Sequence, residues 1–162
     1  VAAPYRRLVV VRHAKSDWPD GVPDLDRPLA ARGRGDAAVL GRWLGAEVGS
    51  IDLVLCSPAV RARQTWELAA AELDPAPAVR ADERLYDASA ADLLAIVRDL
   101  PAGAHTAALV GHNPAVSDLA GQLAGESFEL KTAAVAVLRW PGTWADAAPG
   151  AAELAARARP RA

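Results

Sequence analysis

Two of the three histidines in this chain stand directly after apolar runs, each beside groups that suit an anion. Arg7-Leu8-Val9-Val10-Val11 ends at Arg12-His13, and Ala107-Ala108-Leu109-Val110-Gly111 ends at His112. A third run, Ile51-Asp52-Leu53-Val54-Leu55-Cys56, ends at Ser57, with Arg61 one helical turn further on. A neutral imidazole is a nucleophile near pH 7 and can take a phosphoryl group on nitrogen. Nearby guanidinium groups disfavour the imidazolium, so Arg12 and Arg61 are expected to keep His13 unprotonated. The same cations would stabilise charge on the equatorial oxygens during phosphoryl transfer, and neither task requires a metal. Two arginines and two histidines gathered at one rim would make a receptor for a compact dianion, with phosphate the obvious candidate.

For these residues to meet, the runs that carry them must lie side by side. Each run is short and apolar, as in a strand buried on both faces of a parallel sheet. Helical spacing separates them. Ala37, Leu40, Leu44 and Val48 recur at helical intervals between 33 and 48. Ser57-Pro58 reads as an N-cap with proline at the first helical position, opening a helix to about Leu73. Asn113-Pro114 repeats that signature ahead of Val116, Leu119 and Leu123. Ser89 to Asp92 resembles a capping box in front of Leu93, Leu94, Val97 and Leu100. A short strand is expected around Val79-Arg80-Ala81 and a last one from Thr132 to Arg139. The stretch from Ser16 to Arg27 has loop composition, and in the tail after Pro141 only Ala151 to Arg157 reads as a helix. Strands alternating with helices define an α/β domain with a mainly parallel sheet. In such sheets ligands bind beyond the carboxyl ends of the strands, where helix starts add N–H donors for an anion.

Composition narrows the class. The 162 residues suit one globular domain, taken as 1–162 with a core of about 6–140 and a C-terminal tail of 141–162. A net charge of −2 argues against nucleic acid or an anionic membrane as the main partner. No apolar run approaches a membrane span and no signal peptide is read, so a cytoplasmic protein is expected. Cys56 is the single cysteine, which excludes an internal disulfide, and the dispersed histidines suggest no metal cluster and no cofactor. Sixteen arginines against two lysines set a high background, so no single arginine is informative alone.

Taken in order, the motifs resemble the histidine phosphatase superfamily. Leu8-Val9-Val10-Val11-Arg12-His13-Ala14-Lys15-Ser16 is similar to its opening, in which an Arg-His pair ends the first strand. Arg27-Pro28-Leu29 and then Gly33 match the next part of the pattern. Ser57-Pro58-Ala59-Val60-Arg61-Ala62-Arg63-Gln64-Thr65 resembles its Ser-Pro-x-x-Arg-Ala-x-Gln-Thr segment, and Val110-Gly111-His112-Asn113-Pro114 its second-histidine motif. The short length and the Arg-His-Ala-Lys-Ser variant point to the SixA-like phosphohistidine phosphatase branch. The resemblance implies a phosphoglycerate mutase-like three-layer sandwich, with a central sheet flanked by helices. It implies that His13 accepts the phosphoryl group and that Arg12, Arg61 and His112 complete the phosphate pocket. His112 would serve as a charged or hydrogen-bond-donating partner. Other branches use a carboxylate to protonate the leaving oxygen. Asp87 is the better match for it and Glu83 the fallback, although the SixA-like branch often lacks this acid.

The implied activity is a metal-independent phosphohydrolase working through a phosphohistidine intermediate, with phosphohistidine on a protein as the preferred substrate. Alternatives are a small-molecule phosphomonoesterase, a phosphoglycerate mutase-type enzyme, and a non-catalytic phosphate-binding module. The remaining notable side chains have plainer readings. Cys56 is a small buried hydrophobe, because cysteine phosphatases need a nucleophile six residues before their arginine and Cys56 is five before Arg61. His105 is expected in solvent, Lys15 and Ser16 at the pocket mouth or in a polar loop. Trp140 and Trp144 either cap the sheet edge or mark a contact surface.

Overall fold

The computed structural model describes residues 4–162. Six strands and four helices follow one another as β1 (Tyr5–Arg12), α1 (Ala31–Glu47), β2 (Leu53–Cys56), α2 (Val60–Ala70), β3 (Ala78–Ala81), α3 (Ala90–Arg98), β4 (Thr106–Gly111), α4 (Ala115–Ala124), β5 (Val135–Pro141) and β6 (Glu153–Ala158). They form one sheet in the order β3-β2-β4-β1-β5-β6. Strands β3, β2, β4 and β1 are parallel, while β5 runs antiparallel to β1 and β6 antiparallel to β5. This is the expected three-layer α/β architecture.

Pleating sorts the apolar runs onto two faces. Leu8 and Val10 of β1 join Leu93, Val97, Val116 and Leu119 in a core under α3 and α4. Val9 and Val11 join Leu40, Leu44, Trp66 and Ala69 in a second core under α1 and α2. The Leu8–Val11 stretch of β1 and the Ala107–Val110 stretch of β4 are therefore continuously apolar, because both faces are covered. Trp140 and Trp144 belong to the first core, with their rings edge to face at 5.5 Å. They are almost fully buried, so neither marks a contact surface. Among the described residues, no helix is long and apolar enough to cross a membrane.

Three local expectations are corrected. Ser57 does not cap α2, which opens at Val60 with Ala59 in the cap position; the Ser57 hydroxyl lies 2.7 Å from His112 Nε2. Asn113 does not cap α4 either, since its side chain bonds Leu130 and Ser117 and the cap position falls to Pro114. The third concerns the tail. Residues read as a helix from Ala151 to Arg157 form strand β6, in which Leu154, Ala156 and Ala158 are half-buried and Glu153, Ala155 and Arg157 exposed. That two-residue alternation meets the otherwise unpaired edge of β5, and the ladder outweighs the helical preference of alanine. The capping box at Ser89 forms as expected, with Asp92 answering the Ser89 backbone N–H at 3.0 Å.

Helices α1 and α2 approach closely because Gly41 faces the backbone of Ala69. A Cβ at Gly41 would collide with the Ala69 carbonyl and lie 2.7 Å from its Cα. Gly41→Ala is therefore expected to destabilise the protein by about 3 kcal/mol, the upper end of ordinary overpacking. Urea denaturation measures this, and an unchanged midpoint would contradict the close helix contact.

Candidate active site

Sheet order brings the chemistry together. Strands β2, β4 and β1 are neighbours, with Cys56 opposite Val110 and Arg12 opposite Gly111. The ladder continues one residue further, since His13 N–H donates to Gly111 and Ser57 N–H to Val110. Ser57, His112 and His13 thus stand in a row at one rim, at the spacing of neighbouring strands. The two imidazole centroids are 5.1 Å apart.

His13 is only 8% exposed, and its Nδ1 lies 2.8 Å from the Ala14 carbonyl oxygen. A carbonyl can only accept, so Nδ1 carries the hydrogen and a neutral ring has its lone pair on Nε2. Burial is the main force depressing the His13 pKa, which falls to about 3; the Ala14 bond opposes the fall, and His112, Arg61 and Arg12 add to it. The expected direction holds, but desolvation rather than the arginines is the leading cause. Around this ring the backbone is fixed by motif residues. Ala14 N–H donates to Thr65 Oγ1 at 2.9 Å, Thr65 donates to the Arg61 carbonyl, and Gln64 accepts from Leu29 N–H at 2.8 Å. Gly33 lets the start of α1 rest on the Lys15 backbone, where any Cβ would strike the carbonyl oxygen.

Arg12 is held by a carbonyl rather than a carboxylate. Its Nη1 donates to Leu130 at 3.2 Å, an oxygen that also accepts from Asn113 Nδ2 at 2.7 Å. Ser117 joins Asn113 to the Leu130 N–H, so the residues read as a helix cap instead position Arg12. The Arg12 Nε is buried with no partner among the described residues.

Arg61 reaches the same rim from the first turn of α2, and it meets a group the sequence reading missed. Its Nη1 donates to the Asp24 carbonyl at 2.7 Å and its Nη2 to Asp24 Oδ2 at 3.1 Å. Asp24 also accepts from Tyr86 hydroxyl at 2.6 Å and from Arg27 Nε at 3.0 Å. The Tyr86 bond first, then those from Arg27 and Arg61, holds the Asp24 carboxyl well below the usual carboxylate range. Arg27 in turn donates to Ser16 Oγ at 2.8 Å and stacks over Trp18, which orders the segment read as plain loop. Ser16 is buried in that contact, whereas Lys15 is exposed. The available signal was the Asp-x-x-Arg spacing of Asp24 and Arg27, just before the matched Arg27-Pro28-Leu29 segment. Nothing in the sequence pointed to Tyr86.

His112 completes the group. Its pKa is lowered to about 4, chiefly by burial and next by Arg61, so near pH 7 the ring is neutral rather than charged. Its Nε2 is engaged with Ser57 and its Nδ1 is buried without a partner among the described residues. A cavity of about 340 Å³ opens beside it, lined by Asp24, Arg61, Tyr86, Asp87 and His112 together with Leu85, Leu93 and Pro114, while Arg12 and His13 lie outside this lining. Asp87 is exposed on this wall with φ +62°, a left-handed conformation that aspartate tolerates. Glu83 does not line the cavity. Cys56 is buried, its thiol pushed up to about 12 by desolvation, and His105 is exposed with Nδ1 2.9 Å from Arg6. Among the described residues, no group of three or more His, Cys, Asp or Glu side chains is placed to hold a metal ion.

Comparison with known proteins defines the class. The chain matches the histidine phosphatase superfamily (branch 1) over residues 8–129, and it belongs to that family of phosphatases. It is similar to an uncharacterized protein of Mycobacterium tuberculosis strain H37Rv, with 44% identity over 155 residues, 89% of this chain and 96% of that protein. Among solved structures it is similar to a Nakamurella multipartitia protein described as a candidate phosphohistidine phosphatase SixA, with a TM-score of 0.87, 32% identity and 99% of both chains covered. A corresponding Agrobacterium tumefaciens protein shares the fold at a TM-score of 0.84 and 24% identity, over 97% of this chain and 99% of that one.

The buried imidazoles fix a pH dependence. With folded pKa values of about 3 and about 4 against an unfolded value near 6.5, the unfolded chain binds more protons throughout that interval. Stability therefore rises with pH across it and is lost on acidification below about pH 6.5. Without phosphate, the urea midpoint is expected to fall steadily from pH 7 to 4.5. His13→Gln should flatten that slope by about half, since one of the two titrating groups is gone. A midpoint independent of pH over this range would contradict the buried, neutral pair.

Proposed function

We propose that His13 attacks phosphorus in line through Nε2, giving a phosphohistidine enzyme that water then hydrolyses, and that the preferred substrate is phosphohistidine on a protein. One observation carries the mechanism: the Nδ1 hydrogen is committed to the Ala14 carbonyl while burial keeps the ring neutral. Nε2 thus retains its lone pair at neutral pH. In the first step the Nε2–P bond forms as the substrate N–P bond breaks, and the leaving nitrogen takes a proton. In the second, water attacks phosphorus, Nε2 departs with its electron pair, and inorganic phosphate is released. Arg12, Arg61 and His112 form the proposed phosphate pocket, offering N–H donors to the equatorial oxygens.

Three features support a protein-borne phosphoramidate. Only β3 and one short 3-10 turn lie between α2 and α3, so the cavity is covered by no inserted cap and can admit a side chain. The Nakamurella protein, similar over 99% of both chains, is described as a candidate phosphohistidine phosphatase. The two carboxylates in the cavity wall also suit a leaving group that bears N–H donors. Small phosphomonoesters are a second reading, favoured by Asp87. An alkoxide needs a positioned acid far more than a nitrogen that water can protonate, and Asp24, held ionised, cannot supply the proton.

His13→Ala should abolish turnover while circular dichroism shows an intact fold, and labelled phosphate should be trapped on His13 in the unaltered enzyme. Undiminished phosphate release by the variant would overturn the mechanism. Tight binding with no labelled intermediate would favour a binding module instead. Arg61→Ala should lower kcat/KM about a hundredfold or more, the usual cost of one such donor.

Asp87→Asn separates the two substrate classes. It should reduce hydrolysis of an aryl or sugar phosphate about a hundredfold and leave a phosphohistidine protein nearly unaffected, in assays without metal. Equal rates on both substrates would remove Asp87 from the mechanism.

A further inference from the structure

The phosphate pocket proposed above has an unusual asymmetry. Arg12 is paired with a neutral carbonyl, whereas Arg61 already has an anion. A guanidinium carries five N–H bonds. Both terminal nitrogens of Arg61 donate to Asp24, one to its carbonyl and one to its carboxylate, while Nε is buried without a partner among the described residues. One edge of the group is therefore occupied and the other is left over.

Asp24 is not free to swing away. Its carboxylate collects hydrogen bonds from Arg27, Arg61 and Tyr86, and the Arg27 side chain is itself anchored to Ser16 and to the Asp17 carbonyl. The turn that carries Asp24 is closed by the Arg27 N–H on the Asp24 carbonyl. A bound phosphoryl group would then share Arg61 with a carboxylate that stays in place and stays charged.

We propose that Asp24 is an internal counter-anion of the phosphate pocket: it orients Arg61 through one edge of the guanidinium and, by its fixed charge, limits how tightly the pocket retains phosphate. Three guanidinium groups, Arg61, Arg27 and Arg12, lie within electrostatic reach of His112. Without an opposing charge such a cluster would bind its own dianionic product tightly. Asp24 offsets part of that attraction, which favours release of inorganic phosphate after each turnover. Asp24 thus acts through Arg61 as a positioning residue.

The inference rests on the pocket assigned above, and direct phosphate binding tests the two separately. Isothermal titration with inorganic phosphate compares the unaltered enzyme with Asp24→Asn, Asp24→Glu and Asp20→Asn. Asp24→Asn keeps the shape and removes the charge; it should bind phosphate about tenfold more tightly, the scale expected of a half-exposed, screened charge. Steady-state kinetics of this variant should show a lower KM and a lower kcat, with phosphate inhibition strengthened about as much as binding. Asp24→Glu restores the charge and should return the affinity to within about threefold of the unaltered enzyme. Asp20→Asn takes an equal charge from the same loop at a position that contacts none of the pocket cations, and should leave the affinity unchanged. Unchanged or weaker phosphate binding in a folded Asp24→Asn overturns the proposal, as does equal tightening in Asp20→Asn. If the unaltered enzyme binds no phosphate, the pocket assignment itself falls and the counter-anion with it.

Discussion

An imidazole buried at the end of a central strand loses most of the hydration that would stabilise a proton, and the neutrality of His13 depends on that. Its one ring hydrogen is taken by the adjacent Ala14 carbonyl, so backbone geometry leaves the lone pair on Nε2. Keeping that geometry requires the short segment after β1 to be rigid. Gln64 and Thr65, one helical turn beyond Arg61, meet this need by bonding Leu29 and Ala14. Gly33 meets it by allowing α1 to touch Lys15. Much of the Ser-Pro-x-x-Arg-Ala-x-Gln-Thr segment is thus explained by support for a neighbouring strand rather than by contact with a ligand.

Burial also explains why the cationic pocket needs fewer electrostatic tasks than the residue types suggest. If arginines alone kept the histidine neutral, their charge would have to act on the ring and on the phosphoryl group together. Desolvation performs the first task, which leaves Arg12 and Arg61 to be arranged for the second. The two are arranged differently. Arg12 bonds a neutral carbonyl and has no carboxylate in direct contact among the described residues, with Glu129 acting on it only through space, whereas Arg61 bonds the Asp24 carboxylate directly.

The strands and the row of polar residues at their ends were legible because each run is apolar on both faces and stops abruptly. Helix starts were less so. Ser57 and Asn113 have the side chains of caps, yet Ser57 Oγ pairs with His112, 55 residues away, while Asn113 Oδ1 accepts from the Ser117 hydroxyl and its Nδ2 donates to the Leu130 carbonyl. Asp24 and Tyr86 stand 62 residues apart, the first in a stretch that reads as a polar loop and the second in a segment the sequence assigns to no element. Only the fold makes them a pair. The tail was misread because alanine-rich composition speaks for a helix while the edge of β5 asks for a strand.

That last strand bears on the site through β5. The N–H of Ala133 is shared between the Arg12 and His13 carbonyls at 3.2 and 3.1 Å, and Arg12 N–H donates to Ala134. Ala133 adopts φ +60° to make these bonds, a left-handed conformation that costs a non-glycine residue roughly 1 kcal/mol. Such a conformation persists where the surroundings fix it. They do so here because β5 is clamped between β1 and β6, so that Val135 pairs with Val11 on one side and Ala158 on the other. The Arg12-His13 dipeptide is consequently held from both flanks, by Gly111 of β4 and by the approach to β5. A loop fixed on one side only would not hold the imidazole to the sub-ångström tolerance that the proposed in-line attack on phosphorus demands.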